Sequence, residues 1–185
     1  MKRTISVLLA ILLLLSGVGA IGETSEESQF GGLFAGLQEL EMGMDSAQVT
    51  ALMGEPYETD TVSELTTTLL YDTVFGVEDA MIGFVFREDK LCIIDYMCYG
   101  DEADCIALLS GLEKLLGEPG GDPLTVVLGM SDFDYIRQTN ENYEEYAADY
   151  IDSCSTIAAW QLENENVVLM QKGAMIELIV YSMGS

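Results

Sequence analysis

The sequence has no histidine, and its 7 Lys and Arg stand against 32 Asp and Glu, a formal net charge of −25 over 185 residues. Each shortage excludes a class of function. Without His there is no Ser-His-Asp or Cys-His catalytic set and no His-ligated metal. With so few cations, no electrostatic partnership with nucleic acid or an anionic membrane surface is expected. Metal motifs are missing as well. The four cysteines, Cys92, Cys98, Cys105 and Cys154, form no C-x-x-C knuckle, and the acids contain no D-x-[DN]-x-[DN]-G loop. No metal and no cofactor are therefore expected. The abundance of acids also removes their value as a catalytic signal. Among so many carboxylates some pair always lies at a glycosidase-like separation. Ser110 and Lys114, four apart, lie off the apolar stripe of their helix and read as exposed polar residues. The chain is expected not to be an enzyme, with a small carboxylate-based hydrolase as one alternative.

Long apolar runs are scarce too. The one present, Val7 to Leu15, follows Lys2 and Arg3 and precedes Ser16-Gly17-Val18-Gly19-Ala20. It is shorter than the ~20 residues that span a bilayer. This is the pattern of a signal peptide at 1–20, cut after Ala20. The product is expected to be secreted or otherwise extracytoplasmic in the cell envelope, with no stable membrane insertion after cleavage. Residues 21–29 are polar and read as a mobile leader.

Apolar periodicity takes over from residue 30. Phe30, Leu33, Phe34, Leu37 and Leu40 recur at helical spacing, although Gly31, Gly32 and Gly36 weaken that helix. Asp45 and Gln48 form a capping-box pair ahead of Val49, Leu52 and Met53. Gly54 suits a left-handed position just past the helix, and Pro56 stops any continuation. Strand-like runs follow at Leu65–Asp72, Ala80–Arg87 and Leu91–Tyr99, with a polar hairpin connection at Arg87-Glu88-Asp89-Lys90.

The pattern then restarts. Cys105, Leu108, Leu109, Leu112, Leu115 and Leu116 make a helical stripe ending at Gly117-Glu118-Pro119. Leu115-Leu116-Gly117-Glu118-Pro119 echoes Leu52-Met53-Gly54-Glu55-Pro56, an internal repeat in which each position has a role as helix face, cap or stop. Residues 120–139 read as irregular, with a short strand at Thr125–Leu128. A helix is expected over 140–152, and a second meander at Thr156–Leu162, Val167–Gln171 and Met175–Ser182. The fold expectation is α+β: a first unit at 30–100 and a second at 101–185. Each has an N-terminal helix or helices packed on a three- to four-stranded antiparallel sheet.

The motif Gly43-Met44-x-x-x-x-Val49-x-x-Leu52-x-Gly54-x-Pro56, followed by paired strands, resembles the SmpA/OmlA outer-membrane lipoprotein family. Its second occurrence, at Leu115, Gly117 and Pro119, gives a tandem arrangement similar to that of the β-lactamase inhibitory proteins. The resemblance covers 30–99 well and 103–183 loosely. It implies a helix-turn-helix on one face of an antiparallel sheet, and protein binding outside the cytoplasm. The chain lacks the lipid-bearing Cys of the lipoproteins, and no inhibitor contact residue carries over.

The segment 131–154 is the most individual part of the chain. It combines Tyr135, Tyr143, Tyr146 and Tyr150 with many acids and with Arg137. These tyrosines are candidate partner-binding residues, since Tyr is a common anchor in interfaces. The competing expectation is that they pack on the second sheet. Trp160 is expected in the core, with an exposed stacking platform as the alternative. Cys92 and Cys98 share a strand face six residues apart, ~20 Å at the ~3.3 Å rise of a strand, and cannot bond to one another. Cys98 and Cys105 could meet, and four buried thiols are the other expectation. Taken together, the residues predict an exported acidic protein-binding module with a basic or envelope-associated partner. A carbohydrate- or wall-binding module is the other alternative.

Overall fold

The computed structural model describes residues 30–72, 77, 79–129 and 142–182. The expected signal peptide, its cleavage point at Ala20, the leader and Tyr135 lie outside the described residues. The protein is α+β, with five helices and seven antiparallel strands among the described residues. The chain divides into two compact units between Ile94 and Asp95.

In the first unit, α1 (Gly31–Leu37) and α2 (Ser46–Met53) precede β1 (Glu58–Ser63), β2 (Thr66–Asp72), β3 (Met81–Arg87) and the start of β4 (Lys90–Tyr99). Phe30, Leu33 and Leu40 are buried around α1, despite its glycines. Strand order is β1-β2-β3-β4. The β2–β3 register sets Thr67, Leu69 and Tyr71 opposite Phe86, Phe84 and Ile82, so these pairs share one face. All but Thr67 are buried, and Tyr71 meets Phe84 edge to face. The turn from β3 to β4 has positive φ at both Glu88 (52°) and Asp89 (57°), the two-residue geometry that matches strand twist. Asp89 also accepts hydrogen bonds from the Ser46 amide (3.1 Å) and hydroxyl (2.7 Å), tying that turn to the start of α2 and holding its own carboxyl below the usual range.

The polar strand β1 has no counterpart in the sequence expectation. Glu58, Thr59, Asp60, Thr61 and Ser63 are exposed, so no apolar alternation marks it. It forms because β2 offers it a ladder from Glu58↔Leu70 to Ser63↔Thr66, with an irregularity between Thr61 and Ser63.

In the second unit, α3 (Glu102–Leu116), α4 (Pro123–Gly129) and α5 (Tyr143–Asp152) lead to β5 (Thr156–Gln161), β6 (Glu165–Lys172) and β7 (Met175–Ser182). The order is β4-β7-β6-β5. Thr125–Leu128, expected as a strand, is helical. The Asp122 carboxylate accepts the Thr125 amide (2.9 Å) and Pro123 occupies the first turn, which starts a helix despite the β-branched pair Val126-Val127. The registers place Thr156, Ala158 and Trp160 on one face with Gln171, Leu169 and Val167, and with Ile176, Leu178 and Val180. Ala159, Val168, Met170, Lys172, Glu177, Ile179 and Tyr181 lie on the other. α3 adjoins the first face through Trp160, while α4 and α5 adjoin the second through Tyr181 and Tyr150. Covered on both sides, β6 is buried from Glu165 to Gln171.

Candidate functional site

The two Gly-Glu-Pro corners are built on the same plan. At α2 the Asp45 carboxylate accepts the Gln48 amide (2.8 Å), and Gln48 Oε1 accepts the Asp45 amide (2.9 Å). At α3 Asp101 Oδ1 accepts the Ala103 and Asp104 amides (2.8 and 3.1 Å), and Asp104 Oδ2 accepts the Asp101 amide (3.0 Å). The helices end at Gly54 (φ 85°, ψ −166°) and Gly117 (φ 84°, ψ −175°). The positive φ agrees with expectation, but ψ is extended and not left-handed helical. This backbone region is essentially reserved for Gly. Each glycine carbonyl then accepts a hydrogen bond from an aromatic side chain on a strand. The Tyr71 hydroxyl donates to Gly54 O (3.1 Å), and Trp160 Nε1 donates to Gly117 O (2.8 Å). The carbonyl one residue before each aromatic accepts an amide from beyond the proline: Tyr57 to Leu70 O (3.0 Å), Gly121 to Ala159 O (2.9 Å).

The remaining motif residues fall around this frame. Gly43 (φ 89°) donates its amide to Leu91 O, and Met44 O accepts from the Leu91 amide, both at 2.8 Å. Val49 is buried, Pro56 and Leu115 are half-buried, and Pro119 is exposed. Leu52 is 45% exposed, not part of a buried helix face. At 100° per residue it lies to one side of Val49, away from the half-buried Met53.

The tyrosines of α5 divide. Tyr150 is half-buried against the sheet, its hydroxyl donating to Glu177 Oε2 (3.4 Å) and Lys172 Nζ lying 4.4 Å from its ring centroid. Burial, with the Glu177 charge beside it, pushes the Tyr150 hydroxyl up to about 12. Burial also raises the Glu177 carboxyl. Tyr143 is half-buried and bonds to Glu144 (3.0 Å), and Tyr146 is 55% exposed. α5 therefore packs as much as it presents. Trp160 is buried and its indole N–H is engaged, so it offers no stacking platform.

The cysteines stand as thiols. Cys92 Sγ donates to Val85 O (3.3 Å) and Cys154 Sγ to Tyr150 O (3.4 Å). Burial raises the thiols of Cys98, Cys105 and Cys154, which keeps them protonated and poor nucleophiles. Glu165 and Glu177 have raised carboxyls, both through burial. Glu165 shares a face with Val167 and Leu169, whereas Glu177 lies opposite Met170 on the other face. They do not converge on one cleft. Among the described residues no group of three metal-ligating side chains comes together.

Two features escape a sequence reading. One is the Tyr150–Glu177–Lys172 contact, which depends on where α5 lands. The other is a groove of about 550 Å³ in the second unit, between the start of α3 and the β5–β6 ends. It is lined in part by Asp101, Glu102, Ser155, Thr156 and Gln171. The Gln171 side chain is buried and polar, a signal visible only as a lone Gln among the apolar residues of β6.

Comparison of the chain with protein-family models, with curated proteins and with solved structures finds no match.

Proposed function

We propose that this chain is an exported, non-enzymatic binding module made of two tandem α+β units, and that it engages a basic or envelope-associated protein through its acidic surface. The observation that carries this is β1. It is a sheet-edge strand on which Glu58 and Asp60, with Glu64 beyond, are exposed. The edge strand of the second unit, β5, is overlaid by the Gly117–Gly121 segment. An edge with no strand beyond it among the described residues can accept an extended segment of a partner, and its charge selects a cationic one. The tandem reading draws on the matched corners at Gly54 and Gly117, and agrees with the families that the Gly43–Pro56 motif resembles. The hydrolase alternative is disfavoured by two buried carboxylates on opposite faces of the sheet. A carbohydrate- or wall-binding reading has Tyr57, Tyr99 and Tyr146 in its favour, at 51%, 72% and 55% exposure. The test is affinity capture on immobilised residues 21–185, from the producing organism's envelope and secreted fractions. One basic protein, bound at low salt and released at high salt, is the expected result. Glycan retention with no protein captured would replace this function with the carbohydrate one.

A further inference from the structure

Two cysteines come together where β4 passes the chain to α3. Cys98, on β4, is 2% exposed, and Cys105, in α3, is fully buried. Both belong to the second unit and stand seven positions apart. The reversal between them is tight. The Gly100 amide still donates to Ala174 O (2.8 Å), and Asp101 already caps α3. A Cβ on Gly100 would lie 2.8 Å from Asp104 Oδ2 and 2.9 Å from Ile176 Cδ1, so the first turn of the helix is pressed against the strand end and β7. Alternation keeps Cys98 on the same side of the strand as Gly100. Cys105 reaches the same layer from the helix. Its thiol bonds with the Thr156 side chain, and Thr156 shares a sheet face with Ile176. Burial raises the Cys98 thiol, and the Asp104 and Cys105 charges raise it further, so each thiol lies within electrostatic reach of the other. The remaining two cysteines do not compete for this place. Cys92, six residues earlier on β4, is too far along the strand to bond Cys98, and donates to Val85 O. Cys154 donates to Tyr150 O beside Lys172 and Glu177, on the sheet face that α5 adjoins and not on that of α3.

We propose that Cys98 and Cys105 form a disulfide, closed as the exported chain folds, that clasps the start of α3 to the end of β4. The structure holds the pair as thiols. The oxidant is a disulfide-bearing exchange partner of an oxidising compartment. One cysteine thiolate attacks a sulfur of the oxidant and expels the other sulfur as a thiolate. The second cysteine, also deprotonated, attacks the protein sulfur of the mixed disulfide and expels the remaining one. The protein gives up two protons and two electrons, and the oxidant leaves as two thiols that carry them. Burial keeps both thiols protonated in the folded chain, which places closure before α3 docks. Once α3 is docked, the bond is enclosed. The proposal rests on the export reading above, since a reducing cytosol keeps thiols open.

The test maps the thiols of the full chain, reduced in denaturant and refolded in a mixture of oxidised and reduced glutathione. Alkylation precedes digestion with a protease that cuts after Glu, because Glu102 lies between the two cysteines. The expected intact mass is about 2 Da below that of the reduced chain, with the Cys98 and Cys105 peptides joined and Cys92 and Cys154 alkylated. The melting temperature is expected to rise by several degrees over the reduced form. Cys98→Ser and Cys105→Ser are each expected to abolish that rise, and Cys154→Ser to keep it. Alkylation of all four cysteines, or Cys98 or Cys105 joined to Cys92 or Cys154, would overturn the assignment. Where a serine variant fails to fold, the peptide map of the parent chain decides alone. Where refolding fails, the same map is made on chain secreted by an export host and never reduced. The refolding map needs no export and no partner, so a bridged chain that captures no protein rejects the module function and leaves the disulfide standing. Salt-dependent capture by a chain whose four cysteines are all alkylated rejects the disulfide and leaves the module function standing.

Discussion

The corners at Gly54 and Gly117 share a capping box, a glycine at the same φ, an aromatic donor to the glycine carbonyl and a return amide beyond the proline. Past the corner the two units diverge. After Gly54 the chain continues from Tyr57 into β1, a whole polar strand. After Gly117 the Gly121 amide touches Ala159 once, and the chain turns away into α4. Among the described residues the first unit thus ends in an exposed, acidic edge strand, and the second in one that the Gly117–Gly121 segment bonds. The second face of the β5–β6–β7 sheet is likewise occupied, by α4 and α5. Similar local devices specify a corner and leave the surface beyond it free to vary.

The equivalence of the corners is most vulnerable at the aromatic donors. Trp160→Ala is expected to cost ~3–5 kcal/mol of folding stability by denaturant unfolding, and Tyr71→Ala somewhat less because its side chain is smaller. Unequal effects in the reverse order would show that the first unit's corner carries more of the core. Next come the glycines. Gly54→Ala and Gly117→Ala are expected to cost alike, about 1–3 kcal/mol each, since both place a Cβ in the same disfavoured backbone region. A large difference between them would dissolve the equivalence. Tyr181→Phe removes the hydroxyl that donates to Val126 O and accepts from Asn166 Nδ2. It is expected to cost about 1–3 kcal/mol, because both groups are left buried. It acts only where α4 meets the sheet and has no counterpart in the first unit.

The smallest effect concerns pH. Burial raises the Glu165 and Glu177 carboxyls, so folding opposes their ionisation. Their penalty is present at neutral pH. It is relieved as pH falls through the raised folded value toward the ordinary carboxylate value of about 4.3. Thermal stability is expected to rise on mild acidification from pH 7. Glu165→Gln should raise the melting temperature by a few degrees at pH 7 and flatten that rise. An unchanged profile in Glu165→Gln would assign the pH response to the diffuse negative surface.

What could be read from sequence was local. Asp45-x-x-Gln48, Gly54 and Pro56 carry their own instructions, as do Asp101, Gly117 and Pro119, because a cap is satisfied within four residues. The meanders were legible because Ile82, Phe84 and Phe86 alternate and share a buried face. The strand β1 was not, because an exposed edge needs no apolar residues and uses charge to stay soluble. α4 was misread because Val126 and Val127 favour strands, while the deciding signal, Asp122 before Pro123, is two residues long. The site was the least legible part. The groove depends on where the β5 and β6 ends fall beside the start of α3, and the Tyr150 contact on where α5 lands above Glu177. Neither placement is encoded by spacing along the chain.

The proposed binding function stands or falls on affinity capture by residues 21–185 and on the affinity for any basic protein captured, measured across a salt series. Binding is predicted to weaken steeply as ionic strength rises, and Glu58→Gln with Asp60→Asn to lower that salt dependence. An affinity indifferent to salt, or turnover of the captured protein, would contradict an acidic, non-enzymatic binding module.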